Sequence, residues 1–155
     1  MGNIVEQSSP FSSADFWRVP DRLQANPPAR LIHRAVMGSQ NQISEAFSDE
    51  RRHPVQVVDL PSRTLSMTIG RLLALQTSRC HRHNYESLIY ICEGSGVTFI
   101  EGRPVEWEKG DAVYIPVWAW HYHQNRADTE CLYIACENAP LLQNLGNIAL
   151  REERS

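Results

Sequence analysis

Residues 80–94, CHRHNYESLIYICEG, and residues 110–125, GDAVYIPVWAWHYHQN, decide how this chain is read. In an extended strand successive side chains point to opposite faces, so His81 and His83 leave the same side and can chelate one ion. The second stretch repeats the alternation. His121, His123 and Asn125 share one face, while Trp120, Tyr122 and Gln124 share the other. A neighbouring strand is expected to bring His121 to the first pair, giving a metal site on His81, His83 and His121. His33 and His53 stand in a proline-rich segment and are expected to be surface or hydrogen-bonded residues.

Outward from these stretches, residues 55–136 read as short runs of Val, Ile, Leu, Tyr and Phe broken by Gly, Pro, Asp and Asn. That is the texture of a barrel or sandwich of short antiparallel strands. Strands are predicted at 55–60, 63–75, 80–83, 86–93, 96–101, 103–107, 111–115, 119–125 and 130–136. Gly94, Gly96 and Gly102 supply the positive φ of tight turns, so this stretch is expected to be a meander. The fold class is therefore all-β. Residues 1–54, with Pro10, Pro20, Pro27, Pro28 and Pro54, form an expected N-terminal arm, mostly irregular, with short helices near residues 12–18 and 42–48. Residues 55–140 make the expected barrel, and residues 141–155 a short helix and tail, since Leu141, Leu142 and Leu145 precede Gly146.

The spacing of both stretches resembles the cupins, small double-stranded β-helix (jelly-roll) barrels with two metal-binding motifs. Gly110, Pro116, His121 and Asn125 hold the places of the second motif, with Trp118 where glycine is usual. His81, His83 and Gly94 fit the first, with Leu75 where its leading glycine would stand. The usual metal-binding glutamate has no counterpart: Ser87 holds its place, and Glu86, one residue early, should point away from the ion. One cupin branch lacks that glutamate and binds iron on three histidines, the gentisate 1,2-dioxygenase-like ring-cleaving enzymes. His-Arg-His, Glu-Gly-Ser-Gly, Gly-Asp and Pro-x-Trp-x-Trp-His-x-His-x-Asn all look like that branch.

That resemblance implies ligands at His81, His83 and His121, with His123 behind them and not a ligand; because an imidazole can act as acid or base at neutral pH, His123 is the expected catalytic residue. It further implies one divalent metal per chain, Fe(II) first, with Zn, Mn, Ni or Cu as alternatives, since imidazole ligation suits several of these ions. The expected activity is O2-dependent cleavage of a small oxygen-chelating substrate such as a hydroxylated aromatic acid. A redox-neutral lyase or isomerase, or a metabolite-binding barrel without catalysis, is the alternative. The pocket is expected to be lined by Ser87, Ile89, Ile91, Trp118 and Trp120, the tryptophans either walling it or packing as core aromatics. Ile89 occupies the place where many of these enzymes show an arginine.

Composition bounds the partners. Fifteen Lys+Arg against eighteen Asp+Glu give a formal charge of −3, with no basic cluster to suggest nucleic acid. The longest apolar runs fall far short of a membrane span, and the expected location is cytoplasmic. Cys80, Cys92, Cys131 and Cys136 form no C-x-x-C pair and are expected to stay reduced. The proline-rich arm, with little core of its own, suggests a homodimer in which it crosses a partner barrel.

Overall fold

Alternation of buried and exposed residues along short strands builds two facing antiparallel sheets in the computed structural model, which describes residues 25–38 and 42–154. In chain order the strands are β1 (Val55–Val57), β2 (Ser66–Leu72), β3 (His81–His83), β4 (Ser87–Glu93) and β5 (Ser95–Ile100). They continue with β6 (Arg103–Glu108), β7 (Ala112–Ile115), β8 (His121–Gln124), β9 (Cys131–Glu137) and β10 (Arg151–Glu153). Helix α1 spans Gln42–Arg51 and α2 spans Ala139–Gly146. One sheet runs β1-β2-β9-β4-β7 and the other β10-β3-β8-β5-β6.

The chain crosses between the sheets at nearly every connection, which makes a jelly-roll sandwich. This corrects the expected meander: β4 pairs with β7 and β9, whereas β5 pairs with β6 and β8. The positive φ of Gly94 (89°) serves a corner at which the strand changes sheets. Only the turn at Glu101 and Gly102, with φ of 49° and 78°, closes a hairpin in that stretch.

Leu72, Ile89, Ile91, Trp107, Val113, Ile115, Cys131, Tyr133 and Ala135 form the core. Ile89 and Ile91 alternate with the exposed Leu88 and Tyr90, as the period of two requires. The histidine strands β3 and β8 lie side by side, with His81 opposite His121. Helix α1 begins where the sequence predicts and runs one turn further, to Arg51. The helix expected near residues 12–18 lies outside the described residues. In α2, Pro140 sits in the first turn and Asn147, at φ 56°, caps the end after Gly146.

Strand β10 is absent from the sequence reading. Arg151-Glu152-Glu153 offers no apolar residue, hence no alternation to detect. Its pairing on β3 is accompanied by ion pairs between Arg82 and Glu152 and between Arg79 and Glu153. All four cysteines are free thiols. Among the described residues no helix is long and apolar enough to cross a membrane.

Candidate metal centre

Three buried imidazoles meet where β3 and β8 pair. Potential ligand atoms of His81, His83 and His121 all lie within 4.8 Å of one another. Their orientation is fixed from behind. His81 Nδ1 donates to Arg79 O at 2.9 Å, His83 Nδ1 to Tyr85 O at 2.7 Å and His121 Nδ1 to Ala119 O at 2.9 Å. A carbonyl can only accept, so each ring carries its proton on Nδ1 and leaves an Nε2 lone pair free.

Burial keeps these rings neutral. It is the largest cause in each case, pushing His83 and His121 down to about 4 and His81 lower still. The backbone hydrogen bonds work the other way, while the neighbouring Arg151 adds to the depression at all three. At neutral pH the site therefore presents three unprotonated nitrogen donors, the donor set that a divalent first-row ion accepts.

His123 is set differently. Trp107 Nε1 donates to Thr98 Oγ1 at 2.9 Å, and Thr98 Oγ1 lies 2.8 Å from His123 Nδ1. Among the described residues this buried hydroxyl has no other side-chain acceptor, so its proton goes to Nδ1 and His123 carries its own proton on Nε2. Its ring centroid is 5.8 Å from that of His121. The histidine beside the cluster is thus a hydrogen-bond donor, whereas the cluster histidines are acceptors.

Ser87 is buried on the inward face of β4, and its hydroxyl donates to Glu137 Oε1 at 2.8 Å. Glu86 points outward and accepts a hydrogen bond from the Tyr114 hydroxyl. No carboxylate joins the cluster from β4. Ile89 and Ile91 sit behind it, sharing with His123 and Tyr133 a cavity of about 10 Å³, too small for a substrate. Trp118 and Trp120 are not brought to the histidines. Both rings take the Arg82 guanidinium, at 4.4 and 4.6 Å, and Arg82 leaves β3 on the face opposite His81 and His83.

Two departures from the cupin motif gain a conformational meaning. Leu75 (φ 59°) and Trp118 (φ 63°) hold the left-handed backbone that glycine adopts freely, and each stands where the motif has glycine. Asn125, buried at the end of the second motif, ties down three chain segments: its amide donates to Leu72 O, Leu73 O and Thr129 O, and its oxygen accepts from Ala127 N.

Several residues the sequence left bland lie close by. Tyr85 stacks parallel on His83 at 4.0 Å. His53 is buried, its Nδ1 donating to Arg51 O at 2.9 Å, so that its Nε2 accepts from the Tyr133 hydroxyl at 2.5 Å. Tyr133 can occupy this place because residue 70 is glycine: a Cβ there would stand 2.0 Å from its ring. Spacing between strands carries no signal for a pair such as His53 and Tyr133, which stand 80 residues apart in sequence.

Residues 73–136 match the family model described as Cupin domain. The chain is similar to the 5-aminosalicylate 1,2-dioxygenase of Comamonas sp., 29% identical over 83 residues that make 54% of this chain and 22% of that protein. It is also similar to the gentisate 1,2-dioxygenase of Streptomyces sp., 32% identical over 53% of this chain and 23% of that protein. Among solved structures, salicylate 1,2-dioxygenase from Pseudoaminobacter salicylatoxidans with gentisate gives a TM-score of 0.63 at 27% identity, covering 69% of this chain and 31% of that one. The matches thus span about a quarter of the curated relatives' length.

Proposed function

We propose that this cupin domain is a metal-dependent, O2-using dioxygenase that cleaves a small oxygen-chelating substrate such as a hydroxylated aromatic acid. His81, His83 and His121 hold its ion, Fe(II) in the first instance. The observation that carries this reading is the preset donor set: three Nε2 lone pairs converge, each ring locked by a backbone carbonyl, with a serine where a fourth ligand would otherwise stand.

An Fe(II) ion held there supplies redox-active Lewis acidity. Three neutral ligands leave its 2+ charge uncompensated, which favours an anionic chelating substrate. The chain does the positioning. Tyr85 braces the His83 ring from one face, and the carbonyls of residues 79, 85 and 119 keep the three rings from turning. His123, with its proton on Nε2, is the group that donates a hydrogen bond to a substrate oxygen and holds it in place. Ring cleavage of this kind breaks one carbon–carbon bond and places both atoms of O2 in the product, so it needs no external reductant.

The test is to prepare the protein anaerobically with Fe(II) and measure oxygen consumption against hydroxylated aromatic acids and diketones. Uptake that tracks product is expected, and His81→Ala should abolish both metal content and uptake. No uptake by iron-loaded protein across the panel overturns the dioxygenase reading. Anaerobic turnover with Zn(II) or Mn(II) would assign a lyase or isomerase instead.

A further inference from the structure

The C-terminal strand reaches the same site. Strand β10 pairs antiparallel with β3, placing Arg151 opposite His83 and Glu153 opposite His81. Directly opposed residues project to the same face of a sheet, so Arg151 leaves β10 on the side of the cluster histidines. The Arg151 side chain is 15% exposed. Its positive charge lies close enough to act on the hydroxyl of Tyr85, the ring stacked on His83.

Arg151 Nε lies 3.3 Å from Glu50 Oε1 without a well-directed hydrogen bond, and an Arg151 terminal nitrogen bonds Glu153 Oε1 at 3.2 Å. Both carboxylates are shared, Glu50 with Arg51 at 3.3 Å and Glu153 with Arg79 at 2.5 Å. Three guanidiniums thus share these two carboxylates, with Glu137, which also acts on Tyr85, the further acid on this side of the cluster. A planar fork with a half-committed set of donors beside a cluster that would hold a divalent ion suits the outer oxygen of a carboxylate.

We propose that Arg151, carried onto the cluster by the C-terminal strand, holds the carboxylate of a substrate whose oxygens chelate the ion on His81, His83 and His121. The assignment rests on the metal-site reading above and makes the tail a part of the site. It also places a guanidinium at the cluster from β10, where β4 offers only Ile89.

The test measures binding apart from turnover. Zn(II)-loaded protein is titrated calorimetrically with 2-hydroxybenzoate and with catechol, two ortho chelators of which only the first carries a carboxylate. Arg151→Gln should weaken 2-hydroxybenzoate roughly 10- to 100-fold and catechol less than about twofold, at unchanged zinc content. Arg151→Lys, which keeps the charge and its ion pairs but loses the fork, should fall between and serves if the glutamine variant does not fold. Equal loss for both probes, no loss for either, or a wild-type protein that does not prefer 2-hydroxybenzoate overturns the assignment. Arg151-dependent selectivity in a protein that consumes no oxygen would sink the dioxygenase reading alone. Oxygen uptake with selectivity indifferent to Arg151 would sink this assignment alone.

Discussion

Lowering the pH of metal-free protein from 7 to 5 should destabilise it, and His53 should account for a separable share. Burial holds the His53 imidazole down to about 4, against 6.5 in the unfolded chain, so between these values the unfolded state binds a proton that the folded state refuses. The sign follows: stability is full above about pH 6.5 and is lost as pH falls toward 4. Each pH unit within that window costs about 1.4 kcal/mol per group, so His53 contributes a loss of about 2 kcal/mol at pH 5. His83 and His121, held down to about 4, add losses of similar order. The assay is urea unfolding with chelator present, at pH 7 and pH 5, for wild type and His53→Gln. The variant starts less stable because it disturbs the contact with Tyr133, but its drop between the two pH values should be smaller by about 2 kcal/mol. An equal drop in both proteins would show that His53 titrates normally in the fold, and the reading of it as a buried neutral partner of Tyr133 would fall.

Gly70→Ala places a methyl 2.0 Å from the Tyr133 ring, which is buried and tied to His53, so the ring must shift. The expected cost is about 1 to 3 kcal/mol in a denaturant melt, and an unchanged midpoint refutes the packing argument. Asn125→Ala strips the partner from three carbonyls and one amide and should cost about 3 kcal/mol, which thermal unfolding measures. Thr98→Val removes the hydroxyl that fixes His123 while keeping the side chain's shape. With a working substrate it should lower kcat roughly tenfold or more at unchanged metal content, whereas loss of metal would mean that His123 is itself a ligand.

What could be read from the sequence was what obeys a period. The alternation around His81, His83, His121 and His123 put the correct rings on one face, and the inward set of β4, Ser87, Ile89 and Ile91, follows the same rule. Alternation favoured Ser87 over Glu86 on the inner face but left open which of them approaches the ion; the structure turns Glu86 outward to Tyr114. It assigns a residue to a face, however, and not to a partner. Trp118 and Trp120 flank the third histidine in sequence, yet both rings take the Arg82 guanidinium: a left-handed residue turns the chain at 118, and Trp120 precedes the first residue of β8. The sheet order escaped for a related reason: a glycine with positive φ serves a hairpin and a corner equally well, so Gly94 could not announce that β4 and β5 part company. The least legible residues, His53, Tyr133, Glu50 and Arg151, come to the cluster from segments far apart in the chain. Arg151 is the extreme case, since a strand of one arginine and two glutamates carries no apolar pattern at all. Its place is set by pairing with β3, the strand that carries two of the histidines, so the ordering of the tail and the chemistry of the site depend on the same three residue pairs.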